Sequence, residues 1–225
     1  MRILAVGAHP DDVELGCFGT LLELQKQGHT VHAVSLTSGR AWKRPWAERK
    51  KCLDASAAIL RKGGDAAFHA GAFIEGHLEH GKETVAFVDD LIRDLQIDTI
   101  LTHHYGESHQ DHIAAERIAA SASRKSVRTL LLWESVLYTH RNVFPFRPQL
   151  YVPISPAAFR GKGLALRNYA RKGFLQPTEA LAHQHLARYR GGEVGARYAE
   201  AFEVVWQTLT PTPPVPPAAG RRRGV

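Results

Sequence analysis

His9, Asp11 and Asp12 stand where an apolar run ends, in Met1-Arg-Ile-Leu-Ala-Val-Gly-Ala-His-Pro-Asp-Asp12. Well down the chain comes a second polar cluster, His103-His-Tyr-Gly-Glu-Ser-His-Gln-Asp-His112. Together they offer imidazoles and carboxylates in the mix that suits a catalytic zinc. Each cluster has a plainer reading. Asp11 or Asp12 can cap a helix, where the positive end of the dipole favours a carboxylate. One cap needs one carboxylate, however, not two and a histidine. The second cluster alone reads as loop histidines in water, but two such clusters at matching places in two units weaken that reading.

The elements that must position them are strands and helices in alternation. Residues 2–6 form a short apolar strand. Gly7 permits a sharp exit, and Pro10 keeps His9 out of helical geometry, in the loop. A helix over residues 13–27 follows, with Val13 and Cys17, and Leu15, Phe18 and Leu22, on one face. Gly16 and Gly19 fall inside it, where they lower helix propensity and allow close packing on the sheet. Further strands are expected at 30–36, 66–69, 98–102 and 127–133, with helices at 46–61, 83–95 and 111–123. His109 and His112 are three apart, so they can share a face at the start of the last of these helices.

This alternation predicts an α/β fold, Rossmann-like, with a mostly parallel sheet covered on both faces. In such sheets ligands bind beyond the carboxyl ends of the strands, where strand order reverses. An order of 3-2-1-4-5 makes strands one and four neighbours, and their following loops carry the two polar clusters. The first turn lacks G-x-G-x-x-G, which argues against a dinucleotide-binding oxidoreductase. After Trp133 we expect a carboxy-terminal α/β extension. It has a strand at 149–154, a helix capped by Ser155 with Pro156 in its first turn, a helix at 178–189 and a strand at 202–207. The domain spans residues 1–209. Residues 210–225, Pro-rich and ending in Arg221-Arg-Arg-Gly-Val225, read as a flexible tail.

The His9-Pro-Asp-Asp12 and His109-Gln-Asp-His112 motifs resemble the LmbE/PIG-L family of zinc-dependent N-acetylglucosamine deacetylases. Thr37-Ser-Gly39 and Tyr198-Ala-Glu-Ala-Phe202 extend the resemblance over most of residues 1–206. By that resemblance His9, Asp12 and His112 are the zinc ligands and Asp11 is the general base. His109 stabilises the oxyanion or protonates the leaving amine, and Asp111 orients His109; a helix cap is the competing reading of Asp111. Three protein ligands leave a position for water and a carbonyl, and zinc lowers the pKa of water towards ~7. A carboxylate beside the metal can take the water proton if it is not a ligand. Two adjacent aspartates then have separate tasks.

The resemblance also places a substrate-contacting arginine at Arg49 and a sugar-holding acid at Glu75. Cys52 and Arg61-Lys62 depart from the family pattern. Trp42 and Trp46 can stack on a sugar or aglycone ring, against a reading in which Trp46 simply packs inward. His77, His80, His103 and His104 are too many for one metal and read as spectators, one of the last two pointing inward. His183 and His185 have no supporting spacing.

The 225 residues carry a net charge of +7, with basic residues concentrated at 40–51, 160–172 and 221–223. These are solvated faces, or they attract an anionic substrate. Nucleic-acid binding is disfavoured because no recognition motif accompanies them. No segment is long and apolar enough to span a membrane, no signal peptide is visible, and two cysteines fit a reducing compartment, so a cytoplasmic protein is expected. The expected substrate is a small-molecule N-acetyl sugar conjugate, with an amide of another acyl chain or a non-sugar amide as the alternative. A homo-oligomer is compatible with the sequence.

Overall fold

The first strand, β1 (Arg2–Gly7), is apolar and buried from Ile3 onward because helices cover it on both faces. Alternate residues point to opposite sides. Leu4 and Val6 enter one core with Ile100, Ile118, Val88 and Leu132. Ile3 and Ala5 enter the other with Phe18, Leu21, Leu101 and Trp133. The computed structural model describes residues 1–38, 46–138 and 144–208. Trp42, Gly39 and the expected tail at 210–225 lie outside the described residues.

Beyond β1 the chain runs α1 (Asp12–Gly16), α2 (Phe18–Lys26), β2 (Thr30–Thr37), α3 (Trp46–Arg61), β3 (Ala66–Phe73), α4 (Lys82–Asp94), β4 (Thr99–His103), α5 (Gln110–Ser123) and β5 (Thr129–Trp133). It ends with β6 (Leu150–Pro153), α6 (Pro156–Arg171), α7 (Pro177–Glu193) and β7 (Ala199–Gln207). The sheet order is β3-β2-β1-β4-β5-β7-β6. The first five strands are parallel in the expected 3-2-1-4-5 order. β7 then pairs antiparallel with β5, and β6 antiparallel with β7, so the carboxy-terminal extension widens the same sheet. No helix among the described residues is long and apolar enough to cross a membrane.

Two local expectations change. The helix foreseen at 13–27 is two helices, broken at Cys17 (φ −140°, ψ 12°). The strand foreseen at 66–69 runs on to Phe73. Gly71 permits this: a Cβ there would lie 2.2 Å from the Leu36 carbonyl oxygen, so only glycine lets the two strands approach. Strand order reverses at β1 and β4, and the loops after both open on one end of the sheet.

Candidate active site

His9 and Asp11 sit in the β1–α1 turn, and Asp12 opens α1. Gly7 allows the turn to fold back: a Cβ there would stand 2.9 Å from Asp12 Cβ. Asp11 is the residue before α1 but makes no side-chain cap bond, and its backbone is left-handed at φ 116°. For a non-glycine residue that conformation costs about 1–3 kcal/mol and is typical of functional sites. Asp12 does not cap either. Its Oδ2 accepts from the His9 N–H at 2.6 Å and lies 3.1 Å from His103 Nε2. The cap reading of the pair is therefore not realised.

The second cluster reaches the same point from β4 and α5. His9 Nδ1 is 3.1 Å from His112 Nε2 and 3.4 Å from Asp12 Oδ2, and His112 Nε2 is 3.4 Å from Asp12 Oδ1. Donor atoms about 2.0–2.1 Å from a tetrahedral zinc stand roughly 3.3–3.4 Å apart, so two imidazoles and a carboxylate at these separations fit such an ion. Two overlapping groups able to hold a metal share His112: His9, His109 and His112, and Asp12, His103 and His112.

His9 and His112 are each held from behind by a carboxylate. His9 Nε2 lies 3.0 Å from Asp111 Oδ2, and His112 Nδ1 makes a short contact with Glu107 Oε2. This is the usual outer shell of a metal-ligating imidazole, because the far N–H fixes tautomer and ring orientation. It changes the expected partner of Asp111. Its carboxylate serves His9 and accepts the Gly76 and Leu78 N–H groups at 2.6 and 3.3 Å, while only its backbone N–H meets His109. His109, not Asp111, is the cap of α5. Because His109 Nδ1 accepts that N–H, its Nε2 carries the proton of the neutral ring.

The adjacent aspartates are pushed in opposite directions. Burial and then the charge of Asp12 raise Asp11 well above the usual carboxylate range. Burial acts on Asp12 in the same direction, yet His112, His103 and His9 around it hold it well below that range. Environments that separate two carboxyl groups in this way assign one to proton transfer and one to permanent charge. Burial, followed by the neighbouring His112 and His9, lowers His109 to about 4.

These groups face a cavity of about 150 Å³. Seven expected residues line it: His9, Asp11, Asp12, Arg49, Glu75, His109 and His112. Arg49 donates to Glu75 Oε2 at 2.8 Å, so the two substrate-contacting candidates are partners across the cavity wall. A larger open groove of about 780 Å³ lies between Arg2, Gln96 and Lys125, but it contains none of the converging donors and we assign it no chemistry.

Several residues found here were not expected in the site. His103 bonds Asp12 and stacks on His112 with ring centroids 4.0 Å apart, so it is no spectator. Glu107 lay in the quoted cluster, and asking which carboxylate backs each histidine would have found it. Tyr138, Phe174 and Glu179 line the cavity from the carboxy-terminal part of the chain, where no spacing pointed to them.

Residues 4–123 match the family described as GlcNAc-PI de-N-acetylase, PIG-L. The uncharacterized deacetylase YaiS of Escherichia coli is 29% identical over 173 residues, covering 74% of this chain and 89% of that protein. Among solved structures, the 4-carboxy-2-hydroxymuconate hydratase GalB of Pseudomonas putida superposes with a TM-score of 0.78 at 20% identity, over 94% of this chain and 99% of its own. The N,N'-diacetylchitobiose deacetylase of Pyrococcus horikoshii gives 0.70 at 19% identity, over 91% and 83%. At these identities the structural likeness shows the fold alone, and one fold hosts many chemistries.

Proposed function

The chain belongs to the PIG-L family of GlcNAc-PI de-N-acetylases, and on that premise we propose that it is a zinc-dependent hydrolase removing the N-acetyl group of a GlcNAc-type sugar conjugate. The observation that carries this reading is the convergence of His9 Nδ1, His112 Nε2 and the Asp12 carboxylate within 3.1–3.4 Å of one another. These three hold the metal. Zinc, when bound, polarises the amide carbonyl and makes water more acidic.

The remaining groups move protons and hold the substrate. Asp11, raised by its surroundings and free of capping, takes the proton of the attacking water. A carbon–oxygen bond forms at the acetyl carbon, and its former carbonyl oxygen gains negative charge. His109 Nε2–H donates a hydrogen bond to that charge and keeps its proton, and the proton held by Asp11 passes to the leaving nitrogen as the carbon–nitrogen bond breaks. Acetate and a free amine leave. Asp111 and Glu107 keep His9 and His112 in the required tautomers. Arg49 and Glu75 offer a donor and an acceptor to sugar hydroxyls.

The test is amine release from N-acetylglucosaminyl conjugates by protein stripped of metal and by the same protein given zinc. Matched longer-acyl glucosamines and simple acetamides run beside them. Zinc-restored release of acetate from the sugar substrates supports the reading. Full activity without metal overturns it, and faster cleavage of longer acyl chains or non-sugar amides would replace the substrate class.

A further inference from the structure

The break at Cys17 has a specific cause. In an uninterrupted helix the Gly19 N–H would donate to the Leu15 carbonyl and the Thr20 N–H to that of Gly16. Both instead meet one carboxylate: Gly19 N lies 3.1 Å from Glu200 Oε1, and Thr20 N 2.6 Å from Glu200 Oε2. The Leu15 carbonyl is taken by Lys162 Nζ at 2.7 Å, and the same ammonium is 2.6 Å from Glu200 Oε1. An ion pair is thus inserted between two helices, its anion on the N–H side and its cation on the carbonyl side, matching the dipole of each end. His183 Nδ1 also reaches the Leu15 carbonyl, at 3.1 Å, while the Val136 N–H approaches its Nε2 at 3.4 Å. A neutral ring protonated at Nδ1 satisfies both contacts.

The chain is tightly packed on either side of the break. A Cβ on Gly16 would lie 2.5 Å from the Trp133 ring, and one on Gly19 would lie 2.7 Å from Ile154 Cδ1. Lys162 and Glu200 are only 2% and 5% exposed. A buried ion pair is a poor source of stability, because apolar residues of similar volume often do as well. Its placement suits another role. Lys162 from α6 and His183 from α7 both reach the Leu15 carbonyl in the five-residue helix that begins with Asp12, while Glu200 from β7 holds the start of α2 and the Lys162 ammonium. Glu200 also belongs to Tyr198-Ala-Glu-Ala-Phe202, a motif the chemistry above leaves unused.

We propose that Lys162 and Glu200 are positioning residues of the metal site, which separate α1 from α2 and hold Asp11 and Asp12 at the angle the ligand set requires. This rests on the reading of Asp12 as a ligand. Removing the pair lets α1 rejoin α2 as one helix and swings both aspartates away from His9 and His112.

The experiment uses the full chain and three variants: Asp12→Ala, the double Lys162→Met/Glu200→Leu, and Glu200→Gln, which keeps the shape and one acceptor. Each is measured for denaturation midpoint, for zinc affinity of the metal-stripped protein by chelator competition, and for kcat and KM at saturating zinc. The double variant should keep a midpoint close to wild type, bind zinc about 10- to 100-fold more weakly, and lose kcat with KM little changed. Glu200→Gln should fall in between, and it supplies the same comparison if the double variant does not fold. Wild-type zinc affinity and kcat in a folded variant would overturn the positioning role alone. Unchanged zinc affinity in Asp12→Ala would overturn the ligand reading, and the positioning role with it.

Discussion

His9 Nε2 lies 3.0 Å from Asp111 Oδ2, on the side of the ring away from the 3.1 Å approach of His9 Nδ1 to His112 Nε2. The carboxylate thus decides which nitrogen of His9 meets the ligand cluster. Asp111→Asn should preserve the fold and raise the zinc dissociation constant about 10- to 100-fold. Chelator competition on the metal-stripped protein measures this. An unchanged constant would mean that His9 is oriented without Asp111.

The two aspartates of the first loop should separate cleanly. Asp11→Asn should retain zinc and lose ~10²–10⁴-fold in turnover, the usual size of a general-base contribution. Asp12→Ala should lose zinc. Elemental analysis of both purified variants decides the matter, and equal zinc loss would show the two roles to be misassigned.

Glu75 should matter only when the substrate is a sugar. Losing a charge-assisted hydrogen bond costs about 1.5–3 kcal/mol, so Glu75→Ala should lower kcat/KM roughly ten- to a hundred-fold on an N-acetylglucosaminyl substrate. A simple acetamide should lose less, since it has no hydroxyls to hold. Glu75 also accepts from Arg49 at 2.8 Å, so Arg49→Ala should reproduce part of the sugar-specific loss. Equal losses on both substrates would move Glu75 to the reacting centre or to the fold.

His183 should make the protein acid-sensitive. Burial, and then the charge of Lys162, lower it to about 3 from its ordinary 6.5. The unfolded chain therefore takes up a proton below pH 6.5 that the folded chain refuses until about pH 3. This contribution is complete above pH 6.5 and is lost as pH falls, reaching about 3 kcal/mol by pH 4. Urea titrations between pH 7 and pH 4 should show the slope in the wild type and a flatter one in His183→Gln. Parallel slopes would place the acid sensitivity elsewhere.

The legible part of this molecule was its local part. The apolar runs ending at His9 and at His103 announced two buried parallel strands, and the βα alternation ordered the first five strands correctly. His9, Asp12 and His112 could be picked out because each sits at such a strand end or at the helix start beyond it. What stayed hidden was decided by residues far away in sequence. The 3.6-residue pattern over residues 13–27 is truly helical, and nothing near it discloses that Lys162 and Glu200 divide it. The family resemblance pairs Asp111 with its neighbour His109. The fold gives its carboxylate to His9 from the other cluster.

The bond from Gly19 to Glu200 spans 181 positions of the chain. Domains can begin to fold from the amino terminus as synthesis proceeds, but non-local contacts wait for their distant partner. Both loops that build the site leave the ribosome long before β7 does. A nascent chain therefore carries His9, Asp12 and His112, the proposed ligands, well before the proposed clamp. On the proposed reading, tight metal binding waits for the last part of the chain, and a chain truncated ahead of residue 200 should have the ligands without the grip.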